Sequence, residues 1–124
     1  MNTRRQGELG ERAAEEYLAE RGMELVVRNL RYPCGEIDLV MHDGGYTVFV
    51  EVKRRDGTRY GMGREAVTLT KRRRICAVAL RYLRAEGKLG APVRFDVVEI
   101  HGGDVTHLPN AFPYAPPKKG RGFF

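Results

Sequence analysis

The chain has few cysteines, few histidines and no long apolar run, and each shortage argues against a class of protein. Cys34 and Cys76 are isolated and far apart, which fits neither a disulfide framework nor a zinc site. His101 and His107 lack a third ligand nearby, so a structural role is favoured for both. No apolar stretch approaches the roughly 18 residues that span a bilayer, and the N-terminal segment lacks the apolar core of a signal peptide. We therefore expect a cytoplasmic protein with no membrane partner.

The composition suits one globular domain with a strongly basic middle. The 124 residues are 42% hydrophobic, which is enough for one buried core. The net charge is +6, and the stretch from Lys53 to Arg84 holds eleven Lys or Arg against two acids, so it carries +9 and the remainder −3. Charge segregation of this kind is typical of a surface that meets phosphate.

The residue pattern predicts elements in the order α-β-β-β-α-β-β, a single α/β domain with a mixed central sheet and a helix on each side. One helix over residues 3–21 ends at Gly22, and a second over residues 70–86 begins at a Thr70 cap. The predicted strands cover residues 24–30, 35–42, 46–54, 92–101 and 105–108. We assign residues 1–108 to the domain and residues 109–124 to a basic, Pro/Gly-rich tail.

The segment GEIDLVMHDGGYTVFVEVKRR, residues 35–55, predicts a hairpin with acids in its strands. If Gly44 and Gly45 form the turn, Asp38 faces Glu51 and Glu36 faces Lys53, and all four polar side chains lie on one face. That face becomes apolar nearer the turn, at Val40 and Phe49. The other face is predicted to carry Ile37, Leu39, Met41, Val48, Val50 and Val52.

Two carboxylates directly opposed across a hairpin repel each other, so something must offset the repulsion. One of them stays protonated, or a cation bridges the pair, or Lys53 and the basic segment neutralise it. A Mg²⁺ or Mn²⁺ ion on Asp38 and Glu51 fits best, because it also gives the pair a use in activating water. Lys53, on the same face as Glu51, is placed to orient that water or to stabilise developing negative charge.

The first helix offers one more acid. Its apolar arc has Glu11 at the edge, so Glu11 is the acid of this helix expected to point toward the sheet. It is either an outer-sphere partner of the metal or an ordinary boundary glutamate, and the helical pattern does not separate these readings.

Asp38, followed by Glu51-Val52-Lys53 on the next strand and preceded by a helix bearing Glu11, resembles the PD-(D/E)xK nuclease signature. The stretches GEIDLV, FVEVKRR, RFDVVEI and LPNAF resemble more closely the YraN-like family of bacterial predicted endonucleases, over nearly the whole chain up to Phe112. The chain has Ile37-Asp38 where the signature has Pro-Asp, which leaves the carboxylate in place.

The resemblance implies a restriction-endonuclease-like fold similar to archaeal Holliday-junction resolvases. By that similarity Asp38 and Glu51 would bind the metal, Lys53 would assist catalysis, and Glu11 would match the helix-one glutamate of resolvases. Glu36 is an accessory residue beside them. Resolvase-like nucleases often act as dimers, so a homodimer is an expectation, although no sequence feature marks a dimer face.

The basic residues are candidates for phosphate contact. Cations in the first turn of a helix oppose its dipole, so stability alone would not select the run that follows Thr70, whereas phosphate binding would. We expect contacts to the nucleic-acid backbone without base reading from Arg54, Arg55, Arg64, Lys71, Arg72, Arg73 and Arg74.

These observations predict Mg²⁺- or Mn²⁺-dependent hydrolysis of phosphodiester bonds in DNA, with branched or damaged DNA as candidate substrates. The alternative is a non-catalytic nucleic-acid-binding protein that keeps the nuclease fold. A basic module with protein partners is a third reading. The sequence does not choose between DNA and RNA.

Overall fold

A computed structural model describes residues 3–55 and 67–115, with side chains from Gly7 onward. Its elements follow the predicted order: α1 Thr3–Glu20, β1 Glu24–Tyr32, β2 Gly35–Asp43, β3 Tyr46–Arg55, α2 Leu69–Ala85, β4 Val93–His101 and β5 Asp104–Leu108. Residues 56–66, which include the candidate Arg64, and the end of the chain from residue 116 lie outside the described residues. No helix in the described part of the chain has the length and apolarity to cross a membrane.

The five strands form one mixed sheet in the order β1-β2-β3-β4-β5. Neighbouring strands are antiparallel except β3 and β4, which are parallel and are joined by the crossover that contains α2. Helix α1 covers one face, where Ala14 and Leu18 pack on Leu39 and Val50. Helix α2 covers the other face, where Val78 packs with residues of β2, β3 and β4. The predicted α/β architecture is confirmed.

Both helices end just before a glycine, the first of them before the predicted Gly22. Gly22 and Gly87 have positive φ angles of 94° and 67°, which glycine adopts at little cost. Around each glycine the chain turns back on the last helical carbonyls, as in the Met23 N–H bond to the carbonyl of Leu18.

The N-terminal cap of α2 is Thr68, two residues before the predicted Thr70. The Thr68 hydroxyl accepts the N–H of Lys71 at 3.2 Å. The earlier start leaves only Lys71 of the four predicted cations in the first turn, and Arg72 to Arg74 continue into the second. The sequence could not separate the two threonines, because each offers the same hydroxyl.

The hairpin register is confirmed from the turn outward as far as Leu39, which pairs with Val50. The ladder stops there, and Ile37 lies in the core under α2 together with Val40 and Phe49. The prediction that Ile37 shares a face with Leu39 is therefore wrong. Strict alternation fails because β2 leaves β3 at Asp38, while Ile37 continues to pair with β1.

The core continues past Leu108, where the domain was expected to end. Phe112 is only 3% exposed and stacks on Phe95 with ring centroids 5.3 Å apart, and Phe95 stacks in turn on Phe49. The N–H of Ala111 donates to the carbonyl of Phe95 at 2.7 Å. Residues 109–115 therefore belong to the domain, since they supply part of its aromatic core.

Candidate active site

Asp38 and Glu51 meet where β2 separates from β3. The backbone ladder ends one step before them, and the Val52 N–H donates instead to Oδ2 of Asp38 at 2.7 Å. Glu51 is 7% exposed, and the carboxyl groups of Asp38 and Glu51 are within hydrogen-bonding reach of each other. Both line a cleft of about 380 Å³ between the sheet and the start of α2, which is also lined by Gly35, Glu36, Val52, Lys53, Lys71, Arg74 and Ile75.

The pair carries more negative charge than its surroundings accommodate. Burial, followed by the charge of Glu51, raises the pKa of Asp38 to about 8, although the Val52 N–H opposes the shift. A protonated Asp38 can donate a hydrogen bond to Glu51. The predicted electrostatic conflict is therefore present, and at neutral pH protonation of Asp38 relieves part of it.

Two lysines neutralise Glu51. Oε2 of Glu51 lies 2.6 Å from Nζ of Lys71 and 3.3 Å from Nζ of Lys53. Burial and the adjacent Lys71 lower the pKa of Lys53. Burial is the largest single influence on Lys71 and acts in the same direction, but the hydrogen bond to Glu51, the contact with Lys53 and the charges of Glu51 and Asp38 together outweigh it and raise the pKa of Lys71. Of the three ways of offsetting the repulsion, the structure shows the lysine clamp on Glu51, and the raised pKa of Asp38 favours its protonation.

Glu11 reaches this site from α1. Its carboxyl group is hydrogen-bonded to Asp38 and to the side chain of Asn29. Burial raises the pKa of Glu11 against these hydrogen bonds. Glu11 therefore points toward the sheet as expected, but so does Glu15, whose carboxylate accepts two bonds from Arg28 of β1 at 2.7 and 3.0 Å. Asn29, in β1, has a φ angle of 52°, and no local pattern in the sequence marks it as a neighbour of the site.

Glu36 is at the rim of the cleft, but it does not face Lys53 as predicted. Its Oε2 lies 2.9 Å from Nε of Arg31, the residue opposite it on β1, and the Glu36 side chain is 57% exposed. The reason is the end of the β2–β3 ladder at Leu39, beyond which β2 has β1 as its neighbour.

The four basic residues from Lys71 to Arg74 have different surroundings. Lys71 joins the acid pair, while Arg72 donates from Nε to the carbonyl of Val67 at 2.9 Å and lies over the ring of Phe112. Arg73 is half-buried, and Arg74 is exposed at the mouth of the cleft. Arg74 is therefore the member of the run placed to meet a ligand at the surface.

The arginines that end β3 point in opposite directions. Arg55 lies on the α2 side, where its Nε is 3.3 Å from the buried carboxylate of Glu99. Arg54 is exposed on the α1 side, with its aliphatic stem against Gly10. Arg55 is thus engaged inside the domain, and Arg54 lies on the far side of the sheet from the cleft.

Asp96 is a further buried acid, which the sequence analysis does not predict. Asp96 of β4 is fully buried and accepts two bonds from Arg94, at 2.9 and 3.0 Å, and one from the Asn110 N–H at 2.9 Å. Nε2 of His107 lies 2.7 Å from it. Burial alone would raise the pKa of Asp96, but these hydrogen bonds lower it below its usual value. Arg94 and Asp96 stand two apart on one strand face, which is the signal that pairs them.

Asp38 and Glu51 are the pair expected to hold a divalent ion. The described residues hold no group of three or more His, Cys, Asp or Glu side chains arranged around a metal. Mg²⁺ does not need one, because it is usually bound by one or two carboxylates, with waters and substrate phosphates as the other ligands. Asp38 and Glu51 suit that arrangement, since Glu51 already attracts two ammonium groups and the pKa of Asp38 is raised by the negative charge beside it.

The fold and this cleft define a small α/β domain with a carboxylate–lysine site at the edge of its central hairpin. Residues 10–100 match the model of the uncharacterised protein family UPF0102. The chain belongs to this family.

Relatives in several bacteria cover most of the chain. A UPF0102 protein of Symbiobacterium thermophilum is 52% identical over 101 residues, which is 82% of this chain and 86% of the relative. One from Rhodococcus jostii is 48% identical over 86% of this chain and 94% of its own length. A third, from Desulfosudis oleivorans, is 45% identical over 90% of this chain and 94% of its own length.

Proposed function

We propose that the protein is a metal-dependent nuclease that hydrolyses phosphodiester bonds in DNA. The observation that carries the proposal is the contact between the carboxyl groups of Asp38 and Glu51, beside two lysines, in an open cleft. Stability does not call for this arrangement, because hydrophobic residues would fill a hairpin interior without the cost of desolvating four charged groups. Ionisable residues that are buried at a cost to stability are candidates for function.

Four residues in or beside the cleft have a task in this reaction. Asp38 and Glu51 would hold Mg²⁺ or Mn²⁺, which supplies a Lewis acid for the phosphoryl oxygen and lowers the pKa of a bound water. Lys53 is held against Glu51 and is placed to stabilise the charge that builds on the phosphoryl oxygens. Glu11 acts on Asp38 from α1 and fixes the orientation of its carboxyl group.

Binding of the DNA would rest on backbone phosphates. Arg74 is exposed at the mouth of the cleft, one helical turn after Lys71, and the net charge of +6 favours association with a polyanion. Contacts of this kind position the duplex without reading its bases. Branched and damaged DNA are the substrate classes to compare first, because the resemblance to resolvases points to them.

A cleavage assay tests the proposal. Purified protein is incubated with linear, nicked, flapped and four-way DNA in Mg²⁺ or Mn²⁺, in parallel with Asp38→Ala, Glu51→Gln and the exposed control Glu16→Gln. We expect cleavage by the wild type and by Glu16→Gln, and a loss of at least about a hundredfold in the two site variants. No cleavage of any substrate, or equal cleavage by Asp38→Ala, would remove the enzymatic proposal.

One observation favours a second candidate, a nucleic-acid-binding protein without catalysis. The lysine clamp on Glu51 neutralises that carboxylate without a metal, so the site is electrostatically tolerable as it stands. This candidate predicts salt-sensitive binding of DNA or RNA that needs no metal and survives Asp38→Ala.

A further inference from the structure

The two ammonium groups on Glu51 are not equivalent. Both contact Oε2, but the Lys53 side chain is 19% exposed and the Lys71 side chain is 43% exposed. Lys53 lies near the C-terminal end of β3, whereas Lys71 approaches from the first turn of α2 at the cleft mouth. Lys71 makes the shorter contact with Glu51, and its more exposed side chain can move away from Glu51 more easily than that of Lys53.

A divalent ion on Oε2 of Glu51 must displace a cation from that oxygen. An ammonium group 2.6 Å from Oε2 occupies a position that a metal would need, and like charges at such distances repel strongly. Lys71 can move aside by rotating its side chain into the open cleft, without a change in the backbone that the Thr68 hydroxyl caps. Lys53, more enclosed, would stay.

Once released, the Lys71 ammonium lies in the part of the cleft that a nucleic-acid phosphate would enter. Arg74 follows three residues later on the same side of α2 and lines the same cleft. A lysine and an arginine one turn apart at the start of a helix give a phosphate two cationic donors.

We infer that Lys71 is an exchangeable counter-ion: it closes the metal-free site by pairing with Glu51 and, when metal takes Glu51, turns to bind the substrate phosphate beside Arg74. This inference rests on the proposed function and adds a coupling to it. Metal and DNA would favour each other's binding through one side chain, and the coupling would act equally in both directions.

Two binding measurements on Lys71→Met and Lys88→Met test the inference. Lys88→Met removes the same charge just beyond the other end of α2, away from the cleft. The first measurement is calorimetric titration with Mn²⁺ alone. Because Lys71 competes with the metal for Glu51, Lys71→Met should bind Mn²⁺ at least about tenfold more tightly than the wild type, and Lys88→Met should match the wild type.

The second measurement is the anisotropy of labelled four-way DNA with Ca²⁺ and with EDTA. In EDTA, Lys71 is occupied by Glu51, so Lys71→Met should bind DNA almost as well as the wild type. In Ca²⁺ it should bind about five- to tenfold more weakly. Lys88→Met should change DNA affinity by the same factor in both conditions. Lys71→Arg, which keeps the charge, should retain most of the wild type's DNA affinity in Ca²⁺.

The outcomes separate the two proposals. Unchanged or weaker Mn²⁺ binding by Lys71→Met, or an equal loss of DNA affinity in Ca²⁺ and EDTA, overturns the counter-ion inference while leaving the nuclease proposal standing. Metal binding and metal-coupled DNA binding by a wild type that cuts nothing overturn the nuclease proposal alone. A wild type that binds no metal overturns both. Melting curves of the variants with and without Mn²⁺ establish that each is folded.

Discussion

The carboxyl group of Asp38 accepts a hydrogen bond from the Val52 N–H at 2.7 Å, at the point where the backbone pairing of β2 and β3 has ended. A side chain thus replaces a main-chain carbonyl as the acceptor, and the two strands part without leaving that donor unpaired. The opening between them is the cleft. Asp38 therefore both shapes the site and faces Glu51 across it.

The pH dependence of stability should reveal the strain at Asp38. Its pKa is raised from 3.8 to about 8, so in metal-free protein the folded state holds a proton that the unfolded state releases. Stability from this group is fully present below about pH 4 and is lost as the pH rises to about 8. Asp38→Asn should therefore be more stable than the wild type at pH 8, by about 2–4 kcal/mol, and equal to it near pH 4.

Thermal or urea denaturation in EDTA between pH 4 and pH 9 measures this difference. Glu16→Gln, an exposed change on α1, serves as the matched loss of one carboxylate and should follow the wild type at every pH. A wild type that matches Asp38→Asn at pH 8 would show that the carboxylate is well solvated or fully neutralised by the lysines.

The buried Asp96 network should be a main support of the C-terminal part of the domain. Asp96→Asn removes the charge that faces Arg94 and His107 and should cost about 3–5 kcal/mol at pH 7. Asp43→Asn also removes a partner of Arg94, 2.9 Å away, but Asp43 is partly exposed and should cost less than about 1 kcal/mol. Urea denaturation of the two variants compares them, and equal costs would argue against a central role for Asp96.

Neighbouring arginines on α2 should behave differently. Arg74→Ala should leave the melting temperature unchanged, weaken DNA binding and reduce the salt slope of that binding by about 1, because one exposed phosphate contact is lost. Arg72→Ala should cost about 1–2 kcal/mol of stability, since it removes the bond to Val67 and the contact with Phe112. If Arg72→Ala alone changed DNA binding, the assignment of the two residues would be reversed.

The segment after β5 should be indispensable for folding. Phe112→Ala removes a ring from the stack on Phe95 and should destabilise the domain by about 3–5 kcal/mol. A chain ending at Leu108 should be unfolded or molten by near-ultraviolet circular dichroism, and one ending at Ala115 should melt close to the full chain. A cooperative melt for the shorter chain would contradict the place of Phe112 in the core.

Local patterns were sufficient for the elements and for part of the site. Glycines mark the ends of both helices, and the two-glycine turn fixes the hairpin register as far as Leu39. Helical periodicity also placed Glu11 toward the sheet, although it did not indicate that Glu15 pairs with Arg28 of β1. Each of these follows from residues close together in the chain, where backbone geometry leaves few choices.

The remaining features depend on where distant parts of the chain meet. Register arithmetic assumes an unbroken ladder, so it could not foresee that Ile37 changes face or that Glu36 pairs with Arg31. Lys71 was grouped with its basic neighbours, because only the crossover of α2 brings it to Glu51. The tail expected from residue 109 includes Phe112, because the prolines and glycines near it do not indicate a buried aromatic residue.

Calorimetric titration of the wild type and Asp38→Ala with Mn²⁺, in the presence of DNA, tests the central claim that Asp38 and Glu51 form a cation site. We expect binding near one ion per chain in the wild type and the loss of that heat in Asp38→Ala, with both proteins folded. Absence of a heat signal from the wild type, or an equal signal from Asp38→Ala, would contradict it.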